Sequence, residues 1–173
     1  KAKYGIAQIN PLMPRTSGQT FIRIDDIAAC IEVEQALPEL PYFEPDKITE
    51  RIGQYVAMLV DDGATLQLGV GKIPNAVLYY LQNHQDLGVH SELITDGIID
   101  LIAKGVINNR KKTFHPGKTV ASFCLGSKKL YDFVDNNPHV EFYPSDYLNS
   151  PANIARNHKM VAINSAIFAG ELR

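Results

Sequence analysis

Thr65-Leu66-Gln67-Leu68-Gly69-Val70-Gly71-Lys72-Ile73-Pro74-Asn75-Ala76 is an apolar run that enters a glycine turn and leaves it beside a proline. Thr65 to Val70 reads as a strand and Pro74 to His84 as a helix, because proline suits the first helical position. Gly69 and Gly71 let backbone approach a ligand closely, and a helix start offers amides to a phosphate or a developing oxyanion. The same glycines also suit a plain tight turn, and the local pattern leaves both readings open.

The periodicity on either side repeats this unit. Upstream, Ile48, Ile52, Tyr55, Val56, Leu59 and Val60 recur at spacings of three and four, with Asp46 placed to cap the helix and Gly63 just past its end. Downstream the chain reads Val89 to Ile94 as strand, Gly97 to Lys104 as helix, Thr119 to Leu125 as strand and Lys128 to Asp135 as helix. Val140 to Tyr143 as strand, Pro151 to His158 as helix and Val161 to Ile167 as strand complete the series. Strands that alternate with short helices imply a mostly parallel open sheet with helices on both faces, and in such sheets ligands bind outside the carboxyl ends of the strands.

Residues 1–45 have a different texture. Tyr4 to Ile9 and Ile27 to Val33 read as strands, and the prolines 38, 41 and 45 then interrupt any regular element. The expectation is a strand-rich linker over 1–45, from the end of a preceding domain, and an α/β domain over 46–173.

Composition narrows the class. A chain of 173 residues, 45% hydrophobic and 21% charged, buries roughly 70% of its unfolded surface and needs no disulfide framework from its two cysteines. Lys plus Arg (17) and Asp plus Glu (19) nearly cancel and are scattered, which leaves no footprint for a nucleic-acid backbone. No window reaches the roughly 18 apolar residues of a membrane span, so neither nucleic acid nor membrane is expected as a partner, and the compartment expected is the cytoplasm.

The second chemical feature is His90-Ser91-Glu92-Leu93-Ile94-Thr95-Asp96-Gly97, which sets Glu92 near the carboxyl end of a strand. A carboxylate there can act as base, ribose ligand or nucleophile, or be a solvated strand-end acid. Asp96 reads as a helix cap. A glycine turn with an acid about 20 residues later is also the rough logic of a dinucleotide fingerprint, although the third glycine is absent. The five histidines lack ligand spacing with either cysteine, so no metal site is expected. Cys124 sits in an apolar run that raises a thiol pKa and reads as core, and Lys128 and Lys129 read as a solvated helix face.

Asp61 to Leu78 and Leu87 to Gly97 together resemble the acetyl-CoA hydrolase/transferase family, in particular its 4-hydroxybutyrate and butyrate:acetate CoA-transferase branch. Asn10-Pro11-Leu12-Met13-Pro14-Arg15-Thr16, Gly126 to Pro138 and Met160 to Ile167 agree with it, so the resemblance runs from about Tyr4 to Ile167. It implies a CoA-transferase-like fold and transfer of CoA between a short-chain acyl-CoA and a carboxylic acid. Glu92 matches the family's nucleophile, which passes through an acyl anhydride to a glutamyl-CoA thioester. Gln67, Leu68, Gly69, Val70, Gly71, Lys72, Ile73 and Pro74 match the loop along CoA, with Gly126, Ser127, Asn164 and Ile167 as further contacts.

CoA is then substrate and carrier, with no permanently bound cofactor. Acyl-CoA hydrolysis at the same glutamate, or CoA binding by a fragment that needs a partner chain, are the alternatives. Position 72 is lysine where the family usually has a small residue. The resemblance also implies a preceding domain and later glycine-rich segments, so the chain reads as the middle of such an enzyme, expected to self-associate or to pair with a chain that carries the missing domain.

Overall fold

The structure is a computed structural model that describes residues 3–40 and 44–166. Its elements follow the order β1 (Gly5–Ile9), β2 (Ser17–Gly18), β3 (Ile27–Glu32), α1 (Lys47–Ala57), β4 (Thr65–Leu68), α2 (Lys72–Tyr80), β5 (Gly88–Val89) and β6 (Leu93–Ile94). They continue as α3 (Gly97–Ala103), β7 (Thr119–Ala121), β8 (Phe123–Cys124), α4 (Lys128–Val134), β9 (Val140–Phe142), α5 (Ser145–Leu148), α6 (Pro151–Ile154) and β10 (Met160–Ile163).

Every strand pairing is parallel. β10 pairs with β4 and β4 with β5, while β7 pairs with β9 and β9 with β2. The bridge His90↔Val120 joins these groups, and Leu93↔Phe123 and Ile94↔Cys124 continue its register into β6 and β8. The order across the sheet is therefore β10, β4, β5/β6, β7/β8, β9, β2. Each of the two middle strands expected from sequence is interrupted, around Ser91-Glu92 and at Ser122.

From β4 to β9 the chain steps one strand at a time in one direction through α2, α3 and α4. After β9 it returns through α5 and α6 to the far side of β4. Right-handed crossovers that step in opposite directions place their helices on opposite faces. The direction of winding reverses between β4 and β10, and a crevice forms at the carboxyl ends of strands that part in this way.

The core follows the central strands: Leu66, Val89, Val120 and Ala121 are fully buried, as are Val77, Leu81, Ile98 and Leu130 from the helices. Such strands are apolar on both faces because both are covered. Residues 1–45 divide between two sheets, since β1 and β3 pair with each other whereas β2 adds an edge strand to β9.

Three expectations from sequence are corrected. The helix after the glycine turn begins at Lys72 and ends at Tyr80, which makes Gly71 the cap and Pro74 the third helical residue rather than the first. That position tolerates proline equally, because the first-turn amides have no intrahelical acceptor. The helix expected over Pro151 to His158 is a single turn, α6, preceded by a second short helix, α5, that the pattern did not suggest.

The third correction concerns α1, which ends at Ala57 rather than just before Gly63. Asp46 caps it as expected and accepts from the backbone amides of Ile48 (3.1 Å) and Thr49 (2.9 Å). Its buried face, however, is Thr49, Gly53 and Ala57, whereas Ile48, Tyr55, Met58 and Leu59 are exposed. Close approach is the reason: a Cβ on Gly53 would stand 3.0 Å from the Cβ and carbonyl carbon of Ala76 in α2. Only the small stripe of α1 can lie against α2 at that separation.

Candidate active site

Along β4 the peptide groups alternate between its two neighbours. His90 N–H donates to Leu66 O (2.9 Å) on one side, and Gly69 N–H donates to Ile163 O (2.8 Å) on the other. Gly69 therefore still lies in the ladder with β10. A Cβ there would meet Asn164 Oδ1 at 2.5 Å and Ile163 O at 3.1 Å, so contact rather than backbone conformation requires glycine. Gly71 requires it for the other reason, with φ at +125°.

Gln67 and Asn164 close the space between β4 and β10 with a reciprocal amide pair. Asn164 Nδ2 donates to Gln67 Oε1 (2.8 Å), and Gln67 Nε2 donates to Asn164 Oδ1 (3.3 Å). The last paired residues are Leu68↔Ile163 on the β10 side and Leu66↔Val89 on the other, so Asn164 and Gly69 lie just past the first pairing and Glu92 lies past the second, where the two backbones have already parted. Glu92 is exposed between fully buried Ser91 and buried Leu93. Its carbonyl accepts from Ser122 N–H (2.9 Å) and Phe123 N–H (3.0 Å), so backbone on a rigid sheet holds it while its carboxylate faces solvent.

Ser91, which sequence reasoning passed over, links the glycine loop to this acid. Leu68 N–H donates to Ser91 Oγ (3.0 Å), and the same hydroxyl donates to Leu68 O (3.0 Å). The legible signal was a serine inside an apolar strand and next to an acid. Thr95 Oγ1 donates to Asn75 Oδ1 (3.1 Å) and ties the end of β6 to the first turn of α2.

Other expected positions lie as follows. Val70, Gly71 and Lys72 are exposed, Gln67, Gly69 and Ile73 are half-buried, and Leu68 and Pro74 are buried. Lys72 is close enough to Asp46 to help hold its carboxyl below the usual range, after the larger effect of the hydrogen bonds from Thr49. Gly126 and Ser127 have partners of their own: Asp96 accepts from Ser127 N–H (2.8 Å) and Ser127 Oγ, and Gly126 O accepts from Leu40 N–H (3.1 Å). Asp96 thus bonds across to Ser127 instead of capping α3. Ile167 lies outside the described residues.

Burial raises the Cys124 thiol to about 11, in keeping with a core role. Among the described residues no cluster of three or more His, Cys, Asp or Glu comes together, and no helix is long and apolar enough to cross a membrane. Concavities of about 410 and 280 Å³ lie beside Pro11, one against Glu32 to Glu34 and the other against Tyr131 and Asp132. Neither is lined by Glu92, which is exposed.

A parallel α/β domain with a glycine loop, a neighbouring exposed carboxylate and a reversal of winding belongs to the open-sheet class of folds, in which ligands bind at the carboxyl ends of the strands. The sequence model of the acetyl-CoA hydrolase/transferase C-terminal domain matches residues 126–169. The chain is 52% identical over 166 residues to the 4-hydroxybutyrate coenzyme A transferase of Clostridium kluyveri, covering 96% of this chain and 39% of that protein. It is 44% identical to the succinyl-CoA:cyclohexane-1-carboxylate CoA transferase of Geobacter metallireducens, covering 96% of this chain and 38% of that protein. It matches the crystal structure of the 4-hydroxybutyrate CoA-transferase of Porphyromonas gingivalis with a TM-score of 0.89 and 48% identity, over 93% of this chain and 41% of that one.

The chain belongs to the acetyl-CoA hydrolase/transferase family. It spans about two fifths of the length of the relatives it matches.

Proposed function

We propose that this chain carries the acyl-transfer centre of a CoA-transferase that moves CoA between a short-chain acyl-CoA and a carboxylic acid, with Glu92 as nucleophile. The observation that carries this reading is the pair of hydrogen bonds between Leu68 and the Ser91 hydroxyl, which sets the glycine loop after β4 beside exposed Glu92 in the interruption of the neighbouring strand. The Glu92 carboxylate attacks the thioester carbonyl, the C–S bond breaks, and CoA thiolate leaves an acyl-glutamyl anhydride. The thiolate then attacks the glutamyl carbonyl and expels the acyl group as its carboxylate, leaving a glutamyl-CoA thioester. The acceptor carboxylate reverses both steps with its own carbon skeleton.

Gln67 to Pro74 lies along CoA, and backbone amides of the loop and of the first turn of α2 stabilise the tetrahedral oxyanion. The side-chain pair Gln67–Asn164 closes the crevice on its β10 side. Gly126 and Ser127, held at the neighbouring strand end by Leu40 and Asp96, are the further CoA contacts on this reading, with Asn164 and Ile167.

On this reading residues 46–173 form the catalytic unit and 1–45 lead into it. CoA is substrate and carrier, and the setting is cytoplasmic. The protein works as a homo-oligomer. Exposure of Glu92 favours one second reading, in which water takes the place of the acceptor acid and the activity is acyl-CoA hydrolysis.

The test is intact mass spectrometry and peptide mapping after incubation with acetyl-CoA or butyryl-CoA, beside Glu92→Ala. A CoA adduct on Glu92 that the variant lacks is expected, and no adduct on wild-type protein sinks the assignment. Thioester loss that is insensitive to added acetate would select the hydrolase.

A further inference from the structure

Leu66 and Leu68 direct their peptide groups toward the strand that carries Glu92, and Leu66 O accepts from His90 N–H there (2.9 Å). One step later the backbones no longer pair. Leu68 N–H and Leu68 O, two residues on, both engage the Ser91 hydroxyl instead (3.0 Å each). A side chain thus fills the place of a ladder rung at the point where β4 and the 88–94 strand part.

Beyond this clasp lie the Gly69–Gly71 turn on one side and Glu92 on the other. Ser91 is fully buried, and its own N–H donates to Val120 O (3.1 Å), so its backbone is fixed to the next strand. The separation between loop and acid is then set by one Cα–Cβ–Oγ reach held between two fixed strands. A direct backbone rung would draw the two together, and a missing one would leave a buried donor and acceptor unpaired and let the gap vary.

We propose that Ser91 is a positioning residue whose hydroxyl clasp fixes the distance from the glycine loop to the Glu92 carboxylate. The proposal rests on Glu92 as the nucleophile. Misplacement of about 1 Å costs on the order of 100-fold in rate while leaving binding determinants in place. Loss of the clasp therefore falls on the chemical step rather than on CoA affinity.

The test follows the rate of CoA adduct formation on Glu92 against acyl-CoA concentration in the full-length protein, for wild type and for Ser91→Ala, Ser91→Val and Ser91→Thr, with hydrogen exchange at the Leu68 amide. The maximal rate is expected to fall about 10- to 100-fold in the alanine and valine variants, with half-saturation unchanged within about threefold. Threonine, which matches valine in shape but keeps the hydroxyl, is expected to recover most of the rate and to keep the Leu68 amide protected. Equal losses in valine and threonine, a wild-type rate in alanine, or an effect confined to half-saturation would each overturn the proposal.

Should alanine and valine fail to fold, Ser91→Cys supplies a weaker clasp of similar volume. An intermediate rate is then expected, and an unchanged one overturns the proposal. A wild-type protein that forms no adduct removes the Glu92 reading and this role with it, whereas an adduct unaffected by Ser91 removes this role alone.

Discussion

Replacing Gly69 by alanine tests the close approach of β4 to β10 directly. The new Cβ would stand 2.5 Å from Asn164 Oδ1, 3.1 Å from Ile163 O and 3.2 Å from Asn164 Cα. Ile163 O cannot retreat without lengthening its bond from Gly69 N–H, so Asn164 must move and break its pair with Gln67. Crowding of this kind costs roughly 1–3 kcal/mol and loss of a solvent-exposed amide pair about 1 kcal/mol or less, which gives an expected destabilisation of about 2 kcal/mol. Thermal unfolding should shift down by about 4–8 °C for a chain of this length, and urea unfolding should show a lower midpoint at unchanged slope.

The decisive measurement is a double-mutant cycle with Asn164→Ala. Removing the asparagine side chain takes away the shortest contact but not the two backbone ones, so Gly69→Ala should cost about 1 kcal/mol less in that background. Additivity within about 0.5 kcal/mol would refute the reasoning, because it would mean that the two residues do not meet.

Lys112 is buried, with Nζ donating to Val89 O and Lys118 O (2.7 Å each), and burial lowers it from 10.5 to about 7, partly opposed by Glu141. The unfolded chain binds the extra proton between those two values, so stability should rise with pH from about 7 toward 10.5, by up to about 1.4 kcal/mol per unit. Urea unfolding against pH for wild type and Lys112→Met checks this, and an equal slope in both argues against it. Cys30 is exposed whereas Cys124 is held near 11, so iodoacetamide at neutral pH should label Cys30 at least tenfold faster. Asp96→Ala strands Ser127 N–H and Oγ and should cost about 1–3 kcal/mol in unfolding measurements, a loss that Asp96→Asn only partly restores.

Local chemistry was legible wherever it repeats along the chain. The helix capped by Asp46, the glycine turn after Leu68 and the alternation of strands and helices all follow from spacings of two, three and four residues. Those spacings report which residues share a face, and so they identify elements without a partner. Glu92 was singled out for the same reason, as an acid near the end of an apolar strand, and the structure places it in the interruption between β5 and β6. The reading of α1 shows the limit: its apolar spacing predicted a helix correctly but carried no information on which face is buried, because the fit of Gly53 against Ala76 depends on a neighbour the pattern does not contain.

The sequence by itself determined most of the alternating strands and helices from Lys47 onward, the glycine turn and the family to which the residues belong, but not β2, α5 or the breaks in the two middle strands. Only the tertiary structure decided that β10 returns to the free side of β4, that Asn164 closes on Gly69 and that Asp96 binds Ser127 instead of its own helix. The same holds for the Ser91 hydroxyl standing in for a rung of the ladder. Each of these joins residues tens of positions apart, where no local period couples them. Which pairs meet is settled by the one packing that buries the central strands while pairing their remaining polar groups.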